Sequence, residues 1–237
     1  MTTADRGTHG PVTTAGEPRL GLVALGDSIT VGEGTMALGV TPLSWAQWLA
    51  RALDLPFTSY AVNGATTGDV LGLQLARVRA PHDVAALYVG VNDVRAPDFD
   101  AAAYERDLDA VAAGLAARAD RLLILSLPED LGRPTSAPKP AIANGAVRRV
   151  AARHGAALAD LADFGGWTHV LPDAVHPTAI GQLEIADRAA RALGATLLPS
   201  ALLGERRGHV ARYAPHHARA LVRDVARRAR ERLLSPR

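Results

Sequence analysis

The sequence predicts an α/β fold, a doubly wound parallel sheet with helices on both faces. Three observations carry that prediction. Apolar runs of strand length alternate with longer stretches of helical periodicity. The runs are apolar throughout rather than alternating, as expected of strands covered on both faces. The chain has 237 residues, 48% hydrophobic and 21% charged, a size and composition that suit one generous globular domain.

The elements follow in order. Residues 20–25 (LGLVAL) form the first strand run and stop at Gly26. Ser44 is placed to cap a helix reaching about residue 52. Residues 57–62 (FTSYAV) are the second strand, and a helix starting at Thr67 or Asp69 runs to 78. Residues 84–89 (VAALYV) are the third strand. An alanine-rich helix covers 101–119, and residues 122–127 (LLILSL) are the fourth strand. A Pro-rich loop spans 128–140. An amphipathic helix follows over 141–154, then a weaker fifth strand over 156–161. The last helix of the body, 178–193, ends before Gly194, the residue type that favours the C′ position. Right-handed crossovers between such strands gather ligands at the carboxyl ends of the sheet. The residues just after each strand are therefore the ones to read for chemistry.

Several classes are excluded at once. There is no cysteine, so disulfides, thiol nucleophiles and thiolate metal sites are ruled out. Neither HExxH nor a carboxylate-rich Ca²⁺ loop occurs, and His216 and His217, being adjacent, do not share a helix face. No metal or cofactor is expected. The loop GDSITVGEG after the first strand lacks both phosphate-cradling glycine patterns, which argues against a nucleotide binder. No run approaches 18 apolar residues, and residues 1–18 lack the apolar segment of a signal peptide, so a cytoplasmic location is expected.

Net charge is +2, yet the isoelectric point is about 9.4. The cations are 25 Arg and the single Lys139, so the high value reflects arginine usage. The charge is uneven: residues 205–237 carry 10 Arg against Glu205, Asp224 and Glu231. The expected organisation is a loose leader (1–18), one domain (19–200) and a basic helical appendix (201–237). Within the appendix, helical spacing sets Leu221, Val222, Val225 and Leu233 on one arc and Arg219, Arg223, Arg227 and Arg230 on another. Such a helix suits packing on the domain or a second subunit, or contact of residues 218–234 with an anionic membrane. No aromatic residues interleave the arginines as base stacking requires, so no nucleic-acid partner is expected.

Four short blocks follow the strands. Gly26-Asp27-Ser28-Ile29-Thr30 sets a serine hydroxyl in a tight turn after the first strand. Asn63-Gly64-Ala65-Thr66 follows the second, where glycine lets a backbone N–H approach a bound group. Gly90-Val91-Asn92-Asp93 follows the third and offers an amide donor. Asp173-Ala174-Val175-His176-Pro177 puts a carboxylate and an imidazole three residues apart. Each block alone is equally a turn or a helix cap. Together they supply nucleophile, base, orienting carboxylate and oxyanion donors, the parts that acyl transfer needs.

In these four blocks, in this order, the chain resembles the SGNH hydrolases, also called the GDSL esterase/lipase family, over about residues 20–195. The resemblance implies a flavodoxin-like three-layer α/β/α sandwich with a five-stranded parallel sheet in the order 2-1-3-4-5. It implies a Ser28 nucleophile, a His176 base partnered by Asp173, and an oxyanion hole from the N–H groups of Ser28 and Gly64 and the side chain of Asn92. Ala174 departs from the pattern, which commonly has glycine there. Family members cleave acetylated sugars, lysophospholipids, simple esters and thioesters, so the implied partner is a small-molecule ester. The scarcity of aromatic residues, ten in all, favours small to medium acyl groups. Trp45, three residues before Trp48 on one helix, and Trp167 are candidate walls of the acyl pocket.

Overall fold

In a computed structural model, which describes residues 18–34, 37–131, 138–203, 214–215, 218–219, 221–223 and 225–226, the first apolar run becomes the strand on which the site is built. This strand, β1 (Leu22–Gly26), is buried along its whole length. It pairs in parallel with β2 (Phe57–Ser59) on one side and β3 (His82–Tyr88) on the other, with Leu22 opposite both Phe57 and Val84. β4 (Ala119–Leu125) and β5 (Ala157–Ala159) complete a five-stranded parallel sheet in the order 2-1-3-4-5.

Among the described residues up to 203 lie seven α-helical segments: α1 (Ser28–Val31), α2 (Trp45–Ala52), α3 (Thr67–Asp69), α4 (Val91–Arg95), α5 (Ala101–Ala116), α6 (Lys139–Arg153) and α7 (Ala179–Ala192). α5 packs with α6, and α2 packs with α7, giving the two helical layers of an α/β/α sandwich. One continuous core joins the layers. Leu22, Leu25, Leu87, Leu123 and Ile124 from the sheet are all fully buried in it, as are Leu49, Leu108 and Ile185 from the helices. Burial of each such side chain contributes roughly 1.5–3 kcal/mol, and this holds β1, buried throughout, between β2 and β3 in the sheet.

Local signals set the helix ends. Ser44 caps α2 in a reciprocal box with Gln47. Thr178 caps α7 by accepting from the Gly181 N–H, and Gly194 adopts the left-handed conformation (φ +65°) just past that helix. Several boundaries differ from the sequence expectation. β2 ends at Ser59 rather than at 62, although Tyr60 and Val62 still donate to the carbonyls of Ala24 and Gly26. The expected helix over 67–78 is broken into α3, a π-helical turn (Val70–Gln74) and a 3₁₀ turn (Leu75–Arg77). Gly68 and Gly72 weaken helical propensity there, and Gln74 is carried inward to a buried position.

No helix of the described residues is long and apolar enough to cross a membrane. The leader, apart from Pro18, lies outside the described residues, as do His216, His217 and residues 227–237. The described residues from 214 to 226 are helical, and Leu221, Val222 and Val225 are exposed.

Candidate active site

β1 is flanked by β2 and β3, so the loops that leave these three strands are neighbours at the carboxyl edge of the sheet. Gly26 ends β1 with φ +153°, and a Cβ there would fall 2.2 Å from the Tyr88 carbonyl oxygen; only glycine lets β1 turn this closely against β3. Asp27 then caps α1, its Oδ1 accepting from the Ile29 N–H at 3.0 Å. This cap makes Ser28 the first residue of α1. Ser28 is buried except for 7% of its surface.

The Ser28 hydroxyl Oγ lies 2.9 Å from His176 Nε2, bridging 148 residues of sequence. His176 Nδ1 lies 2.7 Å from Asp173 Oδ2. Asp173 is itself fixed, because its Oδ1 accepts from the N–H groups of Val175 at 2.9 Å and His176 at 3.0 Å. Burial pushes the Asp173 carboxyl up, but hydrogen bonds from the His176 ring and from these two N–H groups outweigh it and hold it down at about 2. Asp173 is therefore an ionised acceptor at neutral pH, and Nδ1 must carry the ring proton. Nε2 is then free to accept from Ser28. The hydrogen bond to Asp173 raises the His176 pKa above its ordinary value, and partial burial opposes this.

The turn between the carboxylate and the imidazole places Ala174 at φ +62°. The alanine that departs from the family pattern thus sits where glycine is favoured, at a cost on the order of 1 kcal/mol. Gly34 presses on this turn from the first loop: a Cβ there would fall 2.9 Å from the Cβ of His176.

The two remaining blocks interlock. Asn92 Nδ2 donates to the Ala65 carbonyl at 2.9 Å, which leaves its second amide hydrogen for another acceptor. Asp93 accepts from the Thr67 N–H with both oxygens at 3.1 Å. The block after β3 therefore holds the block after β2. Gly64 adopts φ +78°, and a Cβ there would meet nothing within 4 Å, so its backbone borders open space. Among the described residues, neither the Ser28 nor the Gly64 N–H has a hydrogen-bond partner. A hydroxyl paired to an imidazole can attack a carbonyl, and an N–H group with no protein acceptor is able to receive an oxyanion.

Asp27 is a buried carboxyl beside the nucleophile, and sequence reasoning did not give it weight. Burial raises its pKa to about 7, against the Ile29 N–H and His176, which lower it. Sequence reasoning also missed Gln74 and Gln182, both buried. The signal available was a polar amide at an inward-facing helical position.

The two tryptophans separate. Trp45 is fully buried, edge-on to Tyr88 at 6.2 Å, and donates from Nε1 to Thr30 Oγ1 at 3.2 Å. It offers no surface to a ligand, so the reading of Trp45 as a pocket wall gives way to a core role; Trp48 is buried as well. Trp167 is 57% exposed. With Val170, Leu171, Ala174 and Leu221 it lines an apolar cavity of about 570 Å³ on the flank of the turn that carries Asp173 and His176.

The family model of the GDSL-like lipase/acylhydrolase family matches residues 24–183. No curated protein matches the chain. Among solved structures, an alpha/beta hydrolase enzyme from the metagenome of Lake Arreo, Spain, is similar at 24% identity and a TM-score of 0.61, covering 74% of this chain and 95% of its own. An acetylxylan esterase from Geobacillus stearothermophilus is similar at 18% identity and a TM-score of 0.58, covering 73% of this chain and 94% of its own. At these identities the two structures speak to the fold.

Proposed function

The chain belongs to the GDSL-like lipase/acylhydrolase family and is a serine ester hydrolase, and from that premise we propose that Ser28, His176 and Asp173 are its catalytic triad, acting on small to medium acyl esters. The observation that carries the assignment is the unbroken relay of Ser28 Oγ, His176 and Asp173 at 2.9 and 2.7 Å.

In this reading His176 Nε2 takes the hydroxyl proton as Ser28 Oγ attacks the ester carbonyl. Asp173 keeps the ring in the required tautomer and stabilises the imidazolium that forms. The tetrahedral oxyanion accepts from the N–H groups of Ser28 and Gly64 and from the Asn92 amide. His176 returns its proton to the departing alcohol, leaving an acyl-Ser28. Water then repeats the sequence in reverse roles and releases the acid.

Two observations favour a short acyl group. An acetylxylan esterase stands among the similar structures, and Trp45, one of the two tryptophans available to wall a long pocket, is committed to the core. Trp167 remains the candidate wall, beside the cavity next to the Asp173–His176 turn. A panel of p-nitrophenyl esters from acetate to laurate tests the reading. The expected optimum is at the short end, with hydrolysis abolished in Ser28→Ala; a maximum at laurate contradicts the acyl preference.

A further inference from the structure

We propose that Gln182 is a positioning residue that sets the separation of Ser28 and His176, a role that rests on the triad reading above. Its side chain is fully buried. Nε2 donates to the Ile29 carbonyl at 3.0 Å, one residue beyond the nucleophile, and Oε1 accepts from the Trp45 N–H at 2.8 Å. One partner is an acceptor and the other a donor, so a single orientation of the amide satisfies both.

The two bodies that Gln182 joins are the ones that must meet. α1 is four residues long, far too short to hold its own position, so its placement depends on tertiary contacts. Gln74 fixes the strand end that leads into it by a reciprocal pair with the Gly26 backbone, at 2.9 and 2.8 Å. Gln182 holds the helix itself, at Ile29. On its own side, Gln182 moves with the base. The Leu171 N–H donates to the His176 carbonyl at 2.8 Å, and the Thr178 N–H donates to the His169 carbonyl at 2.8 Å. The Thr178 hydroxyl donates to the Thr168 carbonyl at 2.6 Å. A Cβ on Gly181 would fall 1.9 Å from the His169 carbonyl oxygen, so the first turn of α7 is pressed against the loop that carries His176. Loop and helix therefore form one unit, and Gln182 is its hydrogen-bonded tether to the nucleophile turn.

A displacement of about 1 Å between reacting groups is enough to cost on the order of 10²-fold in rate. Gln182→Met keeps the volume and removes both hydrogen bonds. The expected result with p-nitrophenyl acetate is a fall in kcat of about 10- to 100-fold, with KM within about twofold. Gln182→Glu supplies a second, independent signature. A protonated carboxyl can donate to the Ile29 carbonyl and accept from the Trp45 N–H, whereas an ionised one can only accept. The ratio of kcat for Gln182→Glu to that of the parent, measured at pH values where circular dichroism shows the variant fully folded, should therefore rise as pH falls, a dependence that loss of stability from a buried charge does not produce. Hydrolysis by the parent that Ser28→Ala abolishes establishes the underlying reading; its absence overturns that reading and the tether with it. With parent hydrolysis intact, a folded Gln182→Met within about twofold of the parent kcat overturns the role of Gln182 alone. If Gln182→Met does not fold, a kcat ratio for Gln182→Glu that is flat with pH overturns it.

Discussion

A general base must be neutral, so under the proposed triad the state of the His176 ring governs the rate. Its hydrogen bond to the ionised Asp173 favours the imidazolium and lifts its pKa, so protons leave the ring at a higher pH than from a free histidine. The limiting rate at low substrate, kcat/KM, should rise with pH through a single ionisation with a midpoint above about 6.5. A stopped pH series from pH 5 to 9 checks this, and a flat profile contradicts a histidine base. Asn92 is the second residue with a measurable burden. If its free amide hydrogen serves the oxyanion, Asn92→Ala should lower kcat by on the order of 10²–10³. A fall of only about threefold would mean that its bond to the Ala65 carbonyl is its whole task. The grouping of Ser28, Asp173 and His176, which hydrogen bonds join through the His176 ring, was legible in the sequence because acyl-transfer chemistry asks for those residue types. Trp45 was not, because an indole serves a core and a pocket equally well until a partner such as Thr30 is seen.

Elements were legible where apolar periodicity is long. All five strands and the helices α2, α5, α6 and α7 lie close to their expected places. Their ends drifted because register with neighbours, not composition, decides where a strand stops. α1 and α4 were invisible, since segments of four and five residues have no periodicity to read and exist through their surroundings. The turn between Asp173 and His176 shows the same limit. Its left-handed residue is an alanine, which the sequence does not flag as strained. Ala174→Gly should relieve that strain, leaving the protein equally stable or more stable by up to about 1 kcal/mol, with hydrolysis retained. Urea unfolding measures it, and a loss of more than about 0.5 kcal/mol contradicts the assigned strain.

Over the whole molecule, the alternation of strands and helices sufficed for the layered architecture. The strand order came from the resemblance, and the observed sheet agrees with it. What the chain could not reveal is the coupling between distant parts. Gln182 and Ile29 are 153 residues apart, and nothing local to either announces the other. By the same kind of coupling, folding delivers an imidazole from beyond β5 to a hydroxyl after β1, and in the proposed function this makes one serine, among several, a nucleophile. Intact mass after treatment with a fluorophosphonate tests this most directly. A single adduct is expected, mapped to Ser28 and absent from both Ser28→Ala and His176→Ala. An adduct at another residue, or an unmodified parent protein, would contradict it.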